Sequence, residues 1–261
     1  MYGQVDCGGM LMSENGPKIR VKTFTFSLPT PYGNLPSLSI EVPDLPMSLA
    51  EVVPLLHAIC NKCVEMACAH PGPDEKVRCS RGCGSCCRQV VPVSIPELLF
   101  LRTCLAELPP ARRDRYQSRL ESVVHAMQKD GVLSALQNAG SDQEALSAAQ
   151  SYFNQGLDCP FLEDGACSIH PVRPFACREF NAISPPELCE NPFLNRVRKV
   201  PVVPKMTSVA ARFAAKATGE PPVLIPLVMA GNPETFQSTW DAAVPGVALF
   251  EMLFDSFGVP G

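Results

Sequence analysis

The residues in this chain best suited to chemistry are its thirteen cysteines, and all but Cys7 and Cys104 fall into two clumps. The first clump ends in Cys79-Ser-Arg-Gly-Cys83-Gly-Ser-Cys86-Cys87, spaced C-x3-C-x2-C-C. Thiolates are soft ligands that suit zinc, iron and iron–sulfur clusters. A C-x2-C pair lets one tight turn aim two sulfurs at the same ion, and Gly82 and Gly84 give the backbone the freedom to do so. Free cysteines that merely pack prefer apolar interiors to Gly-rich loops, so a loop of inert thiols fits this block poorly. In the adjacent pair Cys86-Cys87, either both side chains bind within a turn or one faces a different ligand set.

The second clump is Cys159-Pro-Phe-Leu-Glu-Asp-Gly-Ala-Cys167-Ser-Ile-His-Pro-Val-Arg-Pro-Phe-Ala-Cys177-Arg-Glu-Phe180, with Cys189 beyond it. Asp164-Gly165 signals a hairpin. A two-residue loop would put Cys159 and Cys167 on opposite faces. A three-residue loop, Glu163 to Gly165 with Gly165 left-handed, would put them on the same face. Shared metal binding requires convergence, so the three-residue loop is the expected one. Pro171 and Pro174 stiffen the return path to Cys177. Arg81 and Arg88 flank the first block, Arg173 and Arg178 the second. Four thiolates on Zn²⁺ or on an oxidised [4Fe–4S] core leave a net charge of about −2, which arginine N–H···S contacts around the ligands can offset.

The elements that must position these residues are mostly helical. Arg20–Ser27 alternates and is rich in β-formers, Leu38–Val42 suggests a partner strand, and Pro31-Tyr-Gly-Asn34 the turn between them. Capping boxes at Ser48/Glu51, Ser94/Glu97 and Ser141/Glu144 open helices running to about residues 70, 108 and 155. Residues 111–129 read as a charged amphipathic helix with Tyr116, Leu120, Val123, Val124 and Met127 on one side. An Ala-rich helix spans 207–218 before Gly219, and an apolar one spans 244–257. The expected fold is therefore mainly α with short β-hairpins, a small α+β domain organised around a cysteine-bound metal centre. It divides into an N-terminal β arm (1–45) and one cysteine-cluster domain (46–261), with the motif core at 79–189 and C-terminal helices at 207–257.

Composition narrows the function. At 46% hydrophobic and 18% charged residues, the chain has a globular composition. A net charge of −4 argues against general nucleic-acid or anionic-membrane binding, either of which wants a basic surface. The longest apolar stretch, near Val223–Ala230, is too short to cross a bilayer and holds Pro226. The first twenty residues have no apolar signal core, so a reducing, cytoplasmic setting is expected, where structural disulfides do not persist.

On Cys79–Cys87, then Arg88-Gln-Val-Val-Pro-Val-Ser94 with Glu97, then Cys159–Phe180, the chain resembles the YkgJ-type cysteine-cluster family, also called the CxxCxxCC or zinc- or iron-chelating domain. The resemblance covers roughly residues 50–195. Its first block is one residue longer than the family pattern, which places Cys79 in question as a ligand. The resemblance implies zinc or iron bound through Cys79, Cys83, Cys86, Cys87, Cys159, Cys167 and Cys177, with Cys189 matching a looser late cysteine. It further raises a protein lysine N-methyltransferase-like activity and an Fe–S oxidoreductase activity. Cys79, Cys83 and Cys86 also have the C-x3-C-x2-C spacing of a radical triad, but Cys87 and the second block argue against that reading.

Other features read as structural. Cys60 and Cys63 share a helix face and are expected to pack in the core, with Cys68 beyond them. Cys104 is expected to pack, Cys7 to be an exposed thiol, His170 to be a hydrogen-bonded structural residue, and Trp240 to lie in the core. Three functions stay open: an enzyme using the centre, a structural zinc module for protein interaction, and metal storage or delivery. An enzyme predicts a pocket beside the cysteines; a structural module predicts none.

Overall fold

A computed structural model of the protein describes residues 20–72, 75–80, 82–237 and 239–258; Cys7 and Arg81 lie outside them. The chain begins with β1 (Val21–Phe26), β2 (Pro29–Thr30), β3 (Gly33–Asn34), β4 (Leu38–Pro43) and β5 (Pro46–Met47). A 3-10 turn at Leu49–Val52 leads into α1 (Val53–Cys68). After the first cysteine block come β6 (Pro92–Val93), α2 (Ile95–Ala106), α3 (Pro110–Lys129), α4 (Val132–Gln137) and α5 (Asp142–Asn154). The second block holds β7 (Leu162–Glu163), β8 (Ala166–Cys167), α6 (Phe175–Glu179) and α7 (Pro186–Cys189). The chain closes with α8 (Met206–Thr218), β9 (Ile225–Pro226), β10 (Val244–Pro245) and α9 (Gly246–Asp255). The fold is mainly helical, with strands only as two-stranded antiparallel pairs among the described residues. Within those residues no helix is long and apolar enough to cross a membrane.

The arm forms as its alternation predicts, with Phe24 opposite Ile40 and Val21 opposite Pro43. Phe24 and Phe26 then pack on the rings of Phe250, Phe254 and Phe257. Leu28, Leu35 and Val42 are buried in the same cluster as α1, α2 and α8, so the arm shares the main core. Short pairings tie distant segments together, β5 to β10 and β6 to β9.

Local sequence explains the helix starts. At Ser48 and Ser94 the backbone N–H donates to the carboxylates of Glu51 and Glu97, closing the expected capping boxes. At Ser141 only half the box forms: Glu144 N–H donates to the Ser141 hydroxyl, while the Glu144 carboxylate takes the Gly140 N–H. Gly219 ends α8 in the left-handed conformation, at φ 75°. Three helices went unread in the sequence, α4 and, in the second block, α6 and α7, all too brief for a periodic signal.

Behind the second block lies a buried polar layer. Glu97 is 4% exposed, and its Oε1 accepts the Phe175 N–H at 2.7 Å, joining the start of α2 to the start of α6. Burial pushes the Glu97 carboxyl up to about 7 against the pull of those hydrogen bonds. Glu179 accepts from the Thr207 N–H and hydroxyl at 3.2 and 3.0 Å, joining α6 to α8. His57 on α1 sits edge-on to Phe100 and Phe175, its Nε2 buried without a hydrogen-bond partner. Burial, then the Arg178 charge, hold it down to about 3.

His57 therefore stays neutral in the folded chain while the unfolded chain protonates below about pH 6.5. Stability should be lost as pH falls through that point toward 3, at up to about 1.4 kcal/mol per pH unit. His57→Leu removes that loss. Urea unfolding of the two proteins should show their stability difference shifting by about 1.6 kcal/mol in the variant's favour between pH 6.5 and pH 5. Parallel pH profiles would show that His57 carries no such linkage.

Candidate metal centre

The two cysteine blocks are stitched together by main chain. The Cys159 N–H donates to the Cys87 carbonyl at 2.7 Å, and the Arg78 N–H to the Ala182 carbonyl at 2.8 Å. The Ala182 N–H in turn points at Cys79 Sγ, 3.1 Å away. Arg88 and Asp158, the neighbours of Cys87 and Cys159, form an ion pair at 2.9 Å. Both side chains are more than half exposed, so that pair contributes at most about 1 kcal/mol. It employs Arg88 across the two blocks.

The hairpin differs from the expectation. Leu162 pairs with Cys167 and Glu163 with Ala166, so the loop is the two residues Asp164-Gly165, both left-handed at φ 50° and 75°. That is the twist-matched turn an Asp-Gly pair favours. The face argument does not reach Cys159, because the strand stops at Leu162, whose N–H bonds the Cys159 carbonyl at 2.8 Å in a turn. Helix α3 holds the hairpin from behind. The Tyr116 hydroxyl donates to Glu163, Arg115 and Arg119 pair with the same carboxylate, and Arg119 also caps the Pro160 carbonyl.

Gly84 fits against this hairpin. A Cβ there would stand 3.0 Å from Leu162 Cδ1 and 3.1 Å from the Gly165 carbonyl oxygen. The leucine tip can move, but the carbonyl cannot without unpicking the turn.

The mutual electrostatics of the thiols show which cysteines share a neighbourhood. A hydrogen bond from the Cys87 thiol holds Cys86 below the usual thiol range, with Arg173 adding to it and burial opposing. The same bond pushes Cys87 up, together with burial and the charges of Cys86, Cys159 and Cys167. Burial raises Cys159 to about 11, and Cys167 and Cys86 add to it. Cys177 lies well above the ordinary range through burial and then Cys159, Cys86 and Cys167. Burial raises Cys167 and Cys79 as well, and Cys86 acts on both. Cys189, buried at the end of α7, is raised by burial and then by Cys79, Cys86 and Cys83.

Two adjoining groups emerge: Cys86, Cys87, Cys159, Cys167 and Cys177 on one side, and Cys79, Cys83 and Cys189 on the other. Cys86 acts on members of both. All eight expected ligands are thus brought to one region. Among the described residues no three Cys, His, Asp or Glu side chains already form a group that could hold an ion. The donor chemistry nonetheless fits zinc or iron. A second feature agrees: Arg173 has its Nε buried without a hydrogen-bond partner, and its charge pulls Cys86, Cys79, Cys167 and Cys177 down. A buried cationic donor facing thiols suits an anionic cysteine cluster. Arg178 acts differently. Its guanidinium donates to the Arg173 and Pro171 carbonyls and to Asn61 on α1, which shapes the loop that carries Arg173.

The helix α1 thiols separate. Cys60 and Cys63 are buried, and apart from each other the charges raising them come from Glu179 and Glu97. Cys68, at the end of the helix, is raised by burial and then by Cys79, so it borders the second group. Cys104 lies in the core, as expected. His170 lies on an exposed 3-10 turn.

A cavity of about 550 Å³ opens beside the cysteines, with Cys86, Cys177 and Phe180 in its wall and Lys199 and Lys205 in its lining. Sequence reasoning missed Gln89, Lys199 and Lys205, since a lone polar residue carries no spacing signal.

With this geometry in place, comparison with known families is informative. The family model described as "CxxCxxCC: putative zinc- or iron-chelating domain" matches residues 78–199. No curated protein and no solved structure matches the chain. The CxxCxxCC segment holds all eight expected ligands together with Arg88, Arg173 and Arg178. It ends at Lys199, so Lys205 and α8 lie beyond it.

Gly84→Ala should lower stability by about 1–3 kcal/mol by overpacking the junction of the two blocks. Denaturant unfolding measures this. An unchanged midpoint would mean the hairpin yields freely and does not seat the first block.

Proposed function

We propose that this chain is a cytoplasmic protein that chelates zinc or iron through Cys79, Cys83, Cys86, Cys87, Cys159, Cys167, Cys177 and Cys189. The observation that carries this reading is the position of Cys86, whose charge acts on Cys79, Cys87, Cys159, Cys167, Cys177 and Cys189 at once. Eight thiolates exceed one tetrahedral site, so the two groups have capacity for two ions or for one [4Fe–4S] cluster with spare thiols. Bound zinc would supply Lewis acidity, and a cluster would supply electron transfer. Arg173 offsets the negative charge of the ligands, while Glu97 and Arg178 fix the backbone that leads into Cys177.

The cavity favours a ligand-handling enzyme over a purely structural zinc module. A closed structural site needs no open space beside it, whereas here two expected ligands line a cavity of substrate size. The spacing of the cysteines does not separate a methyl-transfer activity from a redox one.

Anaerobic purification, elemental analysis and a visible spectrum test the reading. Zinc or iron should co-purify near or above one equivalent. Cys86→Ser should lose most of it, Cys189→Ser only part, and Cys60→Ser none. A Cys86→Ser protein that keeps its full metal content would overturn the shared role of Cys86. Metal loss that leaves the chain folded would remove the structural module from contention.

A further inference from the structure

We propose that the cavity beside Cys86 and Cys177 is a binding site for a small organic anion, held by its carboxylate or phosphate at Lys199 and Lys205. The proposal rests on the metal reading above only for what the far end of that ligand faces.

The lining divides by chemistry. Lys199 and Lys205 are exposed and stand at the rim. Val200 and Val202, both 2% exposed, contribute apolar wall, and Cys86 and Cys177 lie farther in. Among the described residues neither lysine is within ion-pair distance of a carboxylate; Lys199 instead lies over the Phe180 ring at 4.7 Å. Glu179, the one carboxylate in the lining, accepts from the Thr207 N–H and hydroxyl, and the Lys205 charge acts on it without an ion pair. Burial, and then the Lys205 charge, press Lys199 toward losing its proton, a repulsion that a bound anion would relieve.

Gln89 also lines the cavity, but its Nε2 is buried beneath the wall. Two ammonium groups select an occupant that carries negative charge. The same wall disfavours a cationic amine, so a lysine side chain is a poor occupant. The volume lies within the range of small-molecule sites. An anion anchored at the rim would lay its body along the valines and direct its other end at the cysteine centre.

The test is a charge series on one aromatic ring: benzoate, phenyl phosphate, benzamide and benzylamine, titrated into the purified full chain and followed by ligand-observed NMR. Benzoate and phenyl phosphate should bind about ten-fold or more tightly than benzamide, and benzylamine should bind least. The double variant Lys199→Gln, Lys205→Gln should lose that preference while keeping its metal content, and Lys199→Arg, Lys205→Arg should retain it. Equal affinity across the series, or an unchanged preference in the glutamine variant, would overturn the proposal. Metal content measured on the same samples keeps the two readings apart. Anion selectivity in protein that holds no metal would support the cavity site while sinking the metal centre, and metal without selectivity would do the reverse.

Discussion

Thiolates gathered in a low-dielectric interior repel one another, and the rest of this architecture answers to that repulsion. Burial and mutual charge drive Cys79, Cys87, Cys159, Cys167, Cys177 and Cys189 toward the neutral thiol. Left to side-chain preference, such groups would spread apart. Main-chain and buried side-chain hydrogen bonds hold them together instead: Cys159 to Cys87, Ala182 to Cys79, Phe175 to Glu97, and Thr207 to Glu179. A bound cation inverts the local proton logic, because it favours the ionised thiol that burial alone disfavours. The fold supplies proximity and the positive charges of Arg173 and, at Cys167, Arg178; a metal would supply the remainder.

The same bonds explain why the helices are arranged as they are. The first turn of α2 is closed by Glu97, and the spare oxygen of that carboxylate reaches the first amide of α6. One residue therefore starts two helices, and the second of them carries Cys177. On the other side α3 grips the hairpin through Glu163, while Arg178 ties the connecting loop back to α1. Polar bonds to backbone or carboxylate fix the cysteine region at these points, and Cys159 and Cys167 also pack on the apolar core.

Much of this was legible in the sequence. Caps at Ser48 and Ser94, the alternation of Val21–Phe26 and the stop at Gly219 are local signals, and local signals survive folding. The clumping of cysteines named the candidate ligands and brought Cys189 with them. The hairpin shows the limit. Asp164-Gly165 marked the turn, but convergence of Cys159 and Cys167 comes from where the strand ends, which depends on packing against α3 rather than on the turn residues. Separation of Cys60 and Cys63 from Cys68 likewise depends on which way α1 faces. The cavity was invisible, because Gln89, Lys199 and Lys205 meet only through the tertiary fold.

The pairing of the arm with the last helix has a consequence for the order of assembly. The aromatic face of β1, with Phe24 and Phe26, is completed by Phe250, Phe254 and Phe257, more than two hundred residues later. β5 likewise finds its partner only in β10. A chain emerging from the ribosome would have its cysteine region in hand long before that seam could close. During synthesis the first strands must therefore wait, apolar face uncovered, for the final helix, and those early residues are where a nascent chain of this protein most needs shielding from wrong partners.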